Sequence, residues 1–392
     1  MRIASLVFTP LAEDARVRRA AEALCEAGHD VLVVARLPFP ADTAYLRHQL
    51  PPVSSPVVQR FAIVATQAPA TLLPGLAPML YWLPPFRREA LRAVADFRPD
   101  IVICNDWNTL PVGAAINRRS GVKLVYDTHE FATREHIQNW KWRLVSHRAV
   151  REIEQLNMPY VDLVMTVSEG IAQSLYNLYE LTQKPTVIRN LPSYQDIAFR
   201  EIRQPLTLLF HGLIRQERGL EELIDSMPDW HFEGRLVIRG YGQDGYLAQL
   251  KQRARERGVI ERVSFAPRVS PEALISEAAS ADIGYLALPG TTEHYEYALP
   301  NKLFEYMMAG LPIMATPRIE MATLLSATGC GFTTELDPRA LAATLNGLKL
   351  EELNRMRKAA LDAARSLNWQ QEKRRLTAAI AALEPRHGAL DG

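Results

Sequence analysis

The stretch ALPNKLFEYMMAGLPIMAT, Ala298 to Thr316, decides how the rest of the chain is read. Pro300 and Asn301 can open a helix, because proline is tolerated in a first turn, and Gly310 can close it. Leu303, Phe304, Met307 and Met308 recur at helical spacing as a stripe to be buried, while Lys302 and Glu305, three apart, share the other face. The residues PIMAT (Pro312 to Thr316) that follow are apolar on both sides, so they form a strand covered on both faces. A helix feeding such a strand is part of a parallel α/β unit.

Outward from this unit the same alternation recurs almost from end to end. The second half offers strands at Leu206 to Phe210, Arg235 to Arg239, Val263 to Ala266 and Ile283 to Leu288. Between them lie helices marked by Leu220, Leu223, Ile224 and Met227, by Ser270 with Pro271, and by Asp337 with Pro338. The first half offers Arg2 to Phe8, Val31 to Arg36, Ile101 to Cys104, Lys123 to Asp127, Leu163 to Val167 and Thr186 to Asn190. Its first helix carries Val17, Ala20, Ala21 and Leu24 on one stripe and stops at Gly28. The strand-poor stretch Pro192 to Pro205 reads as a linker. The expected fold class is α/β, with two Rossmann-like doubly wound domains over residues 1–194 and 195–366. A C-terminal helix within 367–392 packs back on the first domain. Strand carboxyl ends of the two domains are expected to face a shared cleft, where open α/β sheets bind ligands.

Composition bounds the function. The chain has 392 residues, with Lys plus Arg 45 and Asp plus Glu 44, so no global charge attracts nucleic acid. Cys25, Cys104 and Cys330 have no metal-ligand spacing and read as reduced thiols of a cytoplasmic protein, and the start of the chain does not resemble a secretion signal. Phe61 to Phe86 carries no charge and is long enough to span a bilayer, but Pro69, Pro74, Pro78, Pro84 and Pro85 break it. It reads either as an apolar loop folded on the protein or as an interfacial segment. In the second case Leu80, Tyr81, Trp82 and Phe86 dock, with Arg87 and Arg88 behind.

Local patterns then nominate chemistry. The amides of Asn301, Lys302 and Leu303 and the helix dipole form an anion site to which Lys302 adds charge, and Glu305, one turn further in, suits vicinal hydroxyls. The same pattern also fits a capped core helix whose Lys302 and Glu305 pair at the surface. In FHGLIRQERGLEELI (Phe210 to Ile224) a strand ends at His211 and Gly212, and Arg215 and Arg218 follow on a short loop suited to gripping phosphate. RGYGQDG (Arg239 to Gly245) matches a dinucleotide fingerprint. No acid follows the next strand, so Gly240 and Gly242 are read as keeping side chains away from a ligand, or as a plain turn. VYDTHEF (Val125 to Phe131) sets Asp127, His129 and Glu130 at a strand end. Asp14, Arg16, Arg19, Asn105, Asp106 and Trp107 are candidates for holding an acceptor, or for a solvated helix face and a capped turn. The chain has no Asp-x-Asp pair or His/Cys cluster for a metal, no nucleophile elbow and no P-loop.

Taken together, PNKLFEYMMAGLP, FHGLIRQERGLEELI, RGYGQDG, YDTHE and the early DARVRRAAEAL resemble the GT-B glycosyltransferases of the retaining family 4, over nearly the whole chain. The resemblance implies a nucleotide-sugar donor on the second domain, a glycan or glycolipid acceptor on the first, and metal-independent transfer with retention and no cofactor. It implies His129 at the donor sugar, Arg218 and Lys302 at the departing diphosphate as the domains close, and Glu305 on the ribose. Gly212, Arg215, Gly240, Gly242, Pro300, Asn301 and Leu303 complete the donor site, and Asp14, Arg16, Arg19, Asp106 and Glu130 the acceptor site. The family's first motif glutamate falls at Tyr297, with Glu296 one residue short, and its loop arginine falls at Leu213. Arg215 is then read as supplying that charge, and Glu296 or Tyr297 as meeting the sugar. Polysaccharide, lipopolysaccharide or glycoconjugate assembly in the cytoplasm, with peripheral contact at the inner membrane face, is the implied setting. A GT-B epimerase, a phosphorylase, or a non-catalytic nucleotide-sugar-binding relative are the alternatives.

Overall fold

The computed structural model describes residues 1–52, 56–73, 75–290 and 292–383, the side chains of 13, 56–61 and 72 apart. The chain divides into two compact units, Met1–Arg189 together with the chain from Lys373 onward, and Asn190–Glu372.

Among the described residues of the first unit, seven parallel strands form one sheet. They are β1 (Arg2–Pro10), β2 (Asp30–Arg36), β3 (Leu46–Gln49), β4 (Ile101–Asn105), β5 (Lys123–Asp127), β6 (Leu163–Thr166) and β7 (Thr186–Val187), in the order β3-β2-β1-β4-β5-β6-β7. The chain reverses direction across the sheet between β1 and β4, the place where such sheets collect ligands at strand carboxyl ends. The second unit repeats the plan with β8 (Leu206–Ile214), β9 (Gly234–Gly242), β10 (Val263–Ala266), β11 (Ile283–Leu286), β12 (Ile313–Ala315) and β13 (Gly331–Thr333), ordered β10-β9-β8-β11-β12-β13. Its switch point lies between β8 and β11. Both faces are covered. One buried cluster holds Leu208, Phe210, Leu220, Leu223, Leu236 and Leu341, and the other holds Leu209, Leu303, Phe304, Met307, Ile313 and Leu325. Coverage on both sides is why these strands read as unbroken apolar runs.

Three expectations change. The stretch read as an apolar loop is helical, over Pro56–Leu72, Ala77–Tyr81 and Pro85–Phe97. Pro85 occupies a first turn, where its missing N–H costs nothing, and Pro74 lies outside the described residues. No described helix is long and apolar enough to cross a membrane. Three of the side chains expected to dock there are engaged with the protein instead, while Arg88 is exposed. Tyr81 is buried and donates its hydroxyl to Asn108 O at 2.6 Å, Phe86 meets Phe8 edge-on at 5.1 Å, and the Arg87 guanidinium lies 4.0 Å over the Tyr81 ring. Finally, the helix expected at Ser270 and Pro271 starts at Leu274, and Ser270 caps only the turn before it, accepting from Ala273 N at 3.4 Å. Asp337 and Pro338, by contrast, open a helix as their residue types dictate, the carboxylate accepting from the amides of Arg339 and Ala340.

Candidate functional site

In the second unit β8 and β9 run paired beyond the point where their apolar runs end, as far as Ile214 and Gly242. This extension fixes the use of three glycines. A Cβ on Gly240, whose φ is +150°, would sit 1.8 Å from Gly212 O, and one on Gly242 would sit 2.3 Å from Ile214 O. Both glycines therefore admit the neighbouring strand's backbone, which corrects the expectation that they hold side chains away from a ligand. Gly212, at φ +119°, leaves the space taken by the Lys302 side chain, since a Cβ there would lie 2.5 Å from Lys302 Cε.

Lys302 opens the Asn301–Met308 helix, whose N-cap Pro300 makes no side-chain cap, so the amides of Asn301 and Lys302 stay free at the switch point; that of Leu303, expected to join them, bonds instead to Pro300 O at 2.9 Å. Its ammonium lies 5.0 Å from the Phe210 ring centre. Burial and the nearby guanidiniums of Arg218 and Arg215 hold its pKa down at about 8, with Glu305 acting in the opposite sense. Arg218, on the loop before Gly219, is likewise pushed down by burial and by Arg215. Neither Lys302 nor Arg218 has a carboxylate of the described residues within ion-pair distance. Cations crowded without a counter-ion at a helix N-terminus form a site for a polyanion.

Glu305 sits one turn deeper. His211, 2% exposed, bonds through Nε2 to Glu305 Oε2 at 2.8 Å, and its ring stacks on Tyr306 at 4.6 Å. Its amide donates to Tyr306 Oη at 3.1 Å, and that hydroxyl donates to Tyr285 O at 3.2 Å. One carboxylate oxygen of Glu305 is thus held from behind. His211 is the residue the sequence reading passes over. Its signal is a lone imidazole at the end of an apolar strand, and its partner is 94 residues away. Glu296 is engaged elsewhere, meeting Arg318 Nη1 at 2.7 Å and accepting from Ile319 N at 3.2 Å. It therefore does not take the expected place at a sugar, because its carboxylate anchors the turn after β12. Tyr297 ends the short Glu293–Tyr297 helix, half-buried, and Arg215 is exposed on its loop.

In the first unit the ends of β4 and β5 gather a second polar cluster. Asp106 takes the left-handed backbone at φ +66°, and its amide bonds to Asp127 O at 3.0 Å. His129 lies between two carboxylates, Nδ1 at 3.6 Å from Asp106 and Nε2 at 3.6 Å from Asp127. These are ion-pair rather than hydrogen-bond distances. Burial works against charge on His129, but the two carboxylates outweigh it and hold the imidazole up at about 9. Asp106 is pushed up by burial and by its acidic neighbours Asp14 and Asp127, against the pull of His129. Burial would raise Asp127 too, yet Arg16 and His129 hold it well below the carboxylate range.

Arg16 has a different task from the one expected of it. Only 6% exposed, it grips Asp127 with Nε at 2.9 Å and Nη2 at 2.7 Å, and gives Nη1 to Ile188 O at 2.6 Å. It ties the first helix to β5 and the end of β7, so three of its five N–H groups are spent inside the unit and the side chain is held there, buried. Asp14 caps that helix, accepting from Val17 N at 3.0 Å, and Arg19 turns its Nε back to Ala15 O. Asn105 is a tether, donating to Ser5 Oγ and Leu6 O. What remains open to solvent at this strand edge is Asp106, His129 and the exposed Glu130.

Comparison with known proteins agrees with this layout. Residues 14–190 match the family described as glycosyl transferase 4-like domain, and residues 205–349 match glycosyl transferases group 1. The chain is 26% identical over 320 residues to glycogen synthase of Mycobacterium tuberculosis, covering 76% of this chain and 73% of that one. In fold it is similar to sucrose-phosphate synthase of Thermosynechococcus elongatus, with TM-score 0.74, 16% identity, and 98% and 99% of the two chains covered. It is also similar in fold to HepE of Anabaena in complex with UDP-glucose, with TM-score 0.71, 15% identity, and 98% and 100% covered.

Proposed function

Because this chain belongs to the GT-B glycosyltransferases, a glycosyl transferase 4-like domain followed by a group 1 domain, we propose that it moves a hexosyl group from UDP-hexose to a hydroxyl of a glycan or glycolipid. The anomeric configuration is retained. The observation that carries this reading is the pair of cations without carboxylate partners, Lys302 and Arg218, at the open N-terminus of the Asn301–Met308 helix. A diphosphate satisfies that site, and Glu305, held by His211, lies one turn further in, where a ribose would follow. The uracil base and the hexose are supported by the likeness to HepE with UDP-glucose.

The chemistry follows from charge. As the glycosidic bond to the diphosphate breaks, negative charge grows on the leaving oxygen, and Lys302, Arg218 and the helix amides stabilise it more than they stabilise the donor. Attack from the face the diphosphate leaves gives retention, and the phosphate oxygen takes the acceptor's proton. The acceptor is assigned to the first unit around Asp106, His129 and Glu130. A lipid-linked acceptor in polysaccharide, lipopolysaccharide or glycoconjugate assembly implies a cytoplasmic enzyme in peripheral contact with the inner membrane face.

The test is thermal stabilisation by UDP, GDP, CMP, ADP and dTDP, on wild type, Arg218→Ala and Glu305→Ala, followed by UDP release from UDP-glucose with and without acceptor glycans. A ligand bound only to the native state raises its stability. Stabilisation by UDP that both substitutions abolish, with acceptor-dependent release, supports the reading. Preference for another base overturns the donor, and release without acceptor overturns transfer.

A further inference from the structure

After β5 the chain forms an exposed amphipathic turn that the site does not use. Asn139 caps it, its Oδ1 accepting from Lys141 N at 3.0 Å and Trp142 N at 3.2 Å. A helical turn at Trp140–Trp142 widens over Arg143–His147 and then tightens into the Arg148–Asn157 helix. Trp142 turns toward the rings of His136 and His147, at 5.8 and 5.6 Å. Trp140 and Leu144, one turn apart, point outward, 59% and 60% exposed. Leu73, 61% exposed, follows two residues after Thr71, which is tied to this turn: Thr71 Oγ1 donates to Val145 O at 3.2 Å and Arg148 Nη1 donates to Thr71 O at 3.1 Å.

The charge around this apolar set is one-sided. Between residues 134 and 152 the chain has five lysines and arginines against two carboxylates, in a protein whose total is nearly balanced. One of the two, Glu152, is committed to the amide of Gly75 at 2.5 Å. A tryptophan and leucines flanked by Lys141, Arg143 and Arg148 match the interface of an anionic bilayer. There the indole sits at headgroup level, the leucines enter the acyl boundary, and the cations reach phosphates on long stems.

We propose that Trp140, Leu144 and Leu73, ringed by Lys141, Arg143 and Arg148, dock this chain on an anionic membrane surface. The proposal rests on the membrane contact inferred above and names the surface that makes it. None of these side chains belongs to the donor or acceptor clusters, so docking can be removed without touching the chemistry.

The experiment is sedimentation of the full chain with vesicles of phosphatidylcholine alone or of equal parts phosphatidylcholine and phosphatidylglycerol. It is run on wild type, on Trp140→Ser with Leu144→Ser, and on Lys141→Ser with Arg143→Ser. Wild type is expected on the anionic vesicles, less so as salt rises. Each pair of substitutions lowers the partition coefficient by about tenfold or more, since each cation contributes about fivefold. The thermal midpoint and UDP binding, measured alongside, stay at wild-type values. Anionic vesicles bound equally by wild type and both variants would overturn this surface while leaving a membrane contact elsewhere. No vesicle binding by wild type at low salt overturns surface and contact together. Self-association that the variants lose, without vesicle binding, assigns the patch to a second copy and overturns the proposal as well.

Discussion

Raising the pH from about 7 to about 9 is expected to weaken UDP binding about tenfold, because Lys302 loses its charge across that interval. The magnitude comes from the site. Lys302 lies in the gap that Gly212 leaves, near the Phe210 ring, and burial with Arg218 and Arg215 brings its pKa from 10.5 down to about 8. In the free protein the ammonium is then about nine-tenths populated at pH 7 and about one-tenth at pH 9. A diphosphate set against it restores the proton, so above pH 8 binding must be accompanied by proton uptake, at a cost reaching about 1.4 kcal/mol by pH 9. Titration calorimetry at several pH values, in buffers of different ionisation enthalpy, reads the affinity and the proton count together. Lys302→Arg keeps the charge but does not titrate in this range, so its affinity stays level with pH. Arg218→Ala removes the main repelling cation and moves the break to higher pH while lowering affinity throughout. A flat wild-type profile, or one shared with Lys302→Arg, would refute the assignment of Lys302 to the diphosphate.

Other outcomes follow from the same geometry. Arg16→Met leaves Asp127 buried without its partner and is expected to cost about 3–5 kcal/mol by urea unfolding. His129 is raised above its unfolded value of 6.5, so its contribution is fully present below about pH 6.5 and is lost as pH rises through about 9. In His129→Gln that part of the stability profile, on the order of 3 kcal/mol, disappears. Gly240→Ala drives a methyl group into the Gly212 carbonyl and should fail to yield folded protein. Gly212→Ala meets only the movable end of Lys302, and should fold less stably and bind UDP more weakly, which calorimetry and expression yield together check. His211→Phe, like Glu305→Gln, should reduce the preference for UDP over 2′-deoxy-UDP several-fold, because either substitution loosens the carboxylate assigned to the ribose.

How much of this was legible depends on how far apart the partners lie. Nearly every strand with both faces covered announces itself as an apolar run, but two edge strands do not. Leu46–Gln49 exposes most of its side chains, and Gly331–Thr333 is only three residues long. The helices at Pro56–Leu72 and Pro85–Phe97 were hidden by prolines that read as breaks, although the one at Pro85 stands in a first turn. In the candidate donor site, Lys302, Glu305 and the two free amides follow from a single helix, so eight consecutive residues carry the signal. Arg16 looked like a solvated cation because Asp127 is 111 residues away, and Gly240 looked like a ligand-facing turn because Gly212 lies on another strand. The first belongs to how a helix packs on the sheet and the second to strand register, neither of which the residue pattern alone sets.

The same long-range pairing bears on where the acceptor's proton goes. With an Asp carboxylate at 3.6 Å from each ring nitrogen, His129 is held as an imidazolium near neutral pH, and an imidazolium cannot accept a proton. Asp127 cannot take that role either, since Arg16 keeps it ionised far below the pH of the reaction and buried behind the imidazole. If His129 meets the donor sugar, it does so as a fixed positive charge or hydrogen-bond donor, which favours negative charge on the hexose oxygens without moving a proton. Asp106 and Glu130, both raised by burial, stand at the same edge, and the proposed recipient of the proton is instead a group that becomes more basic as the bond breaks. The departing phosphate oxygen of the proposed transfer would do so, with Lys302 and Arg218 as its assigned cations. Replacing His129 with glutamine should therefore lower kcat without shifting the acidic limb of the pH–rate profile. A limb that moved with the substitution would make His129 the base after all.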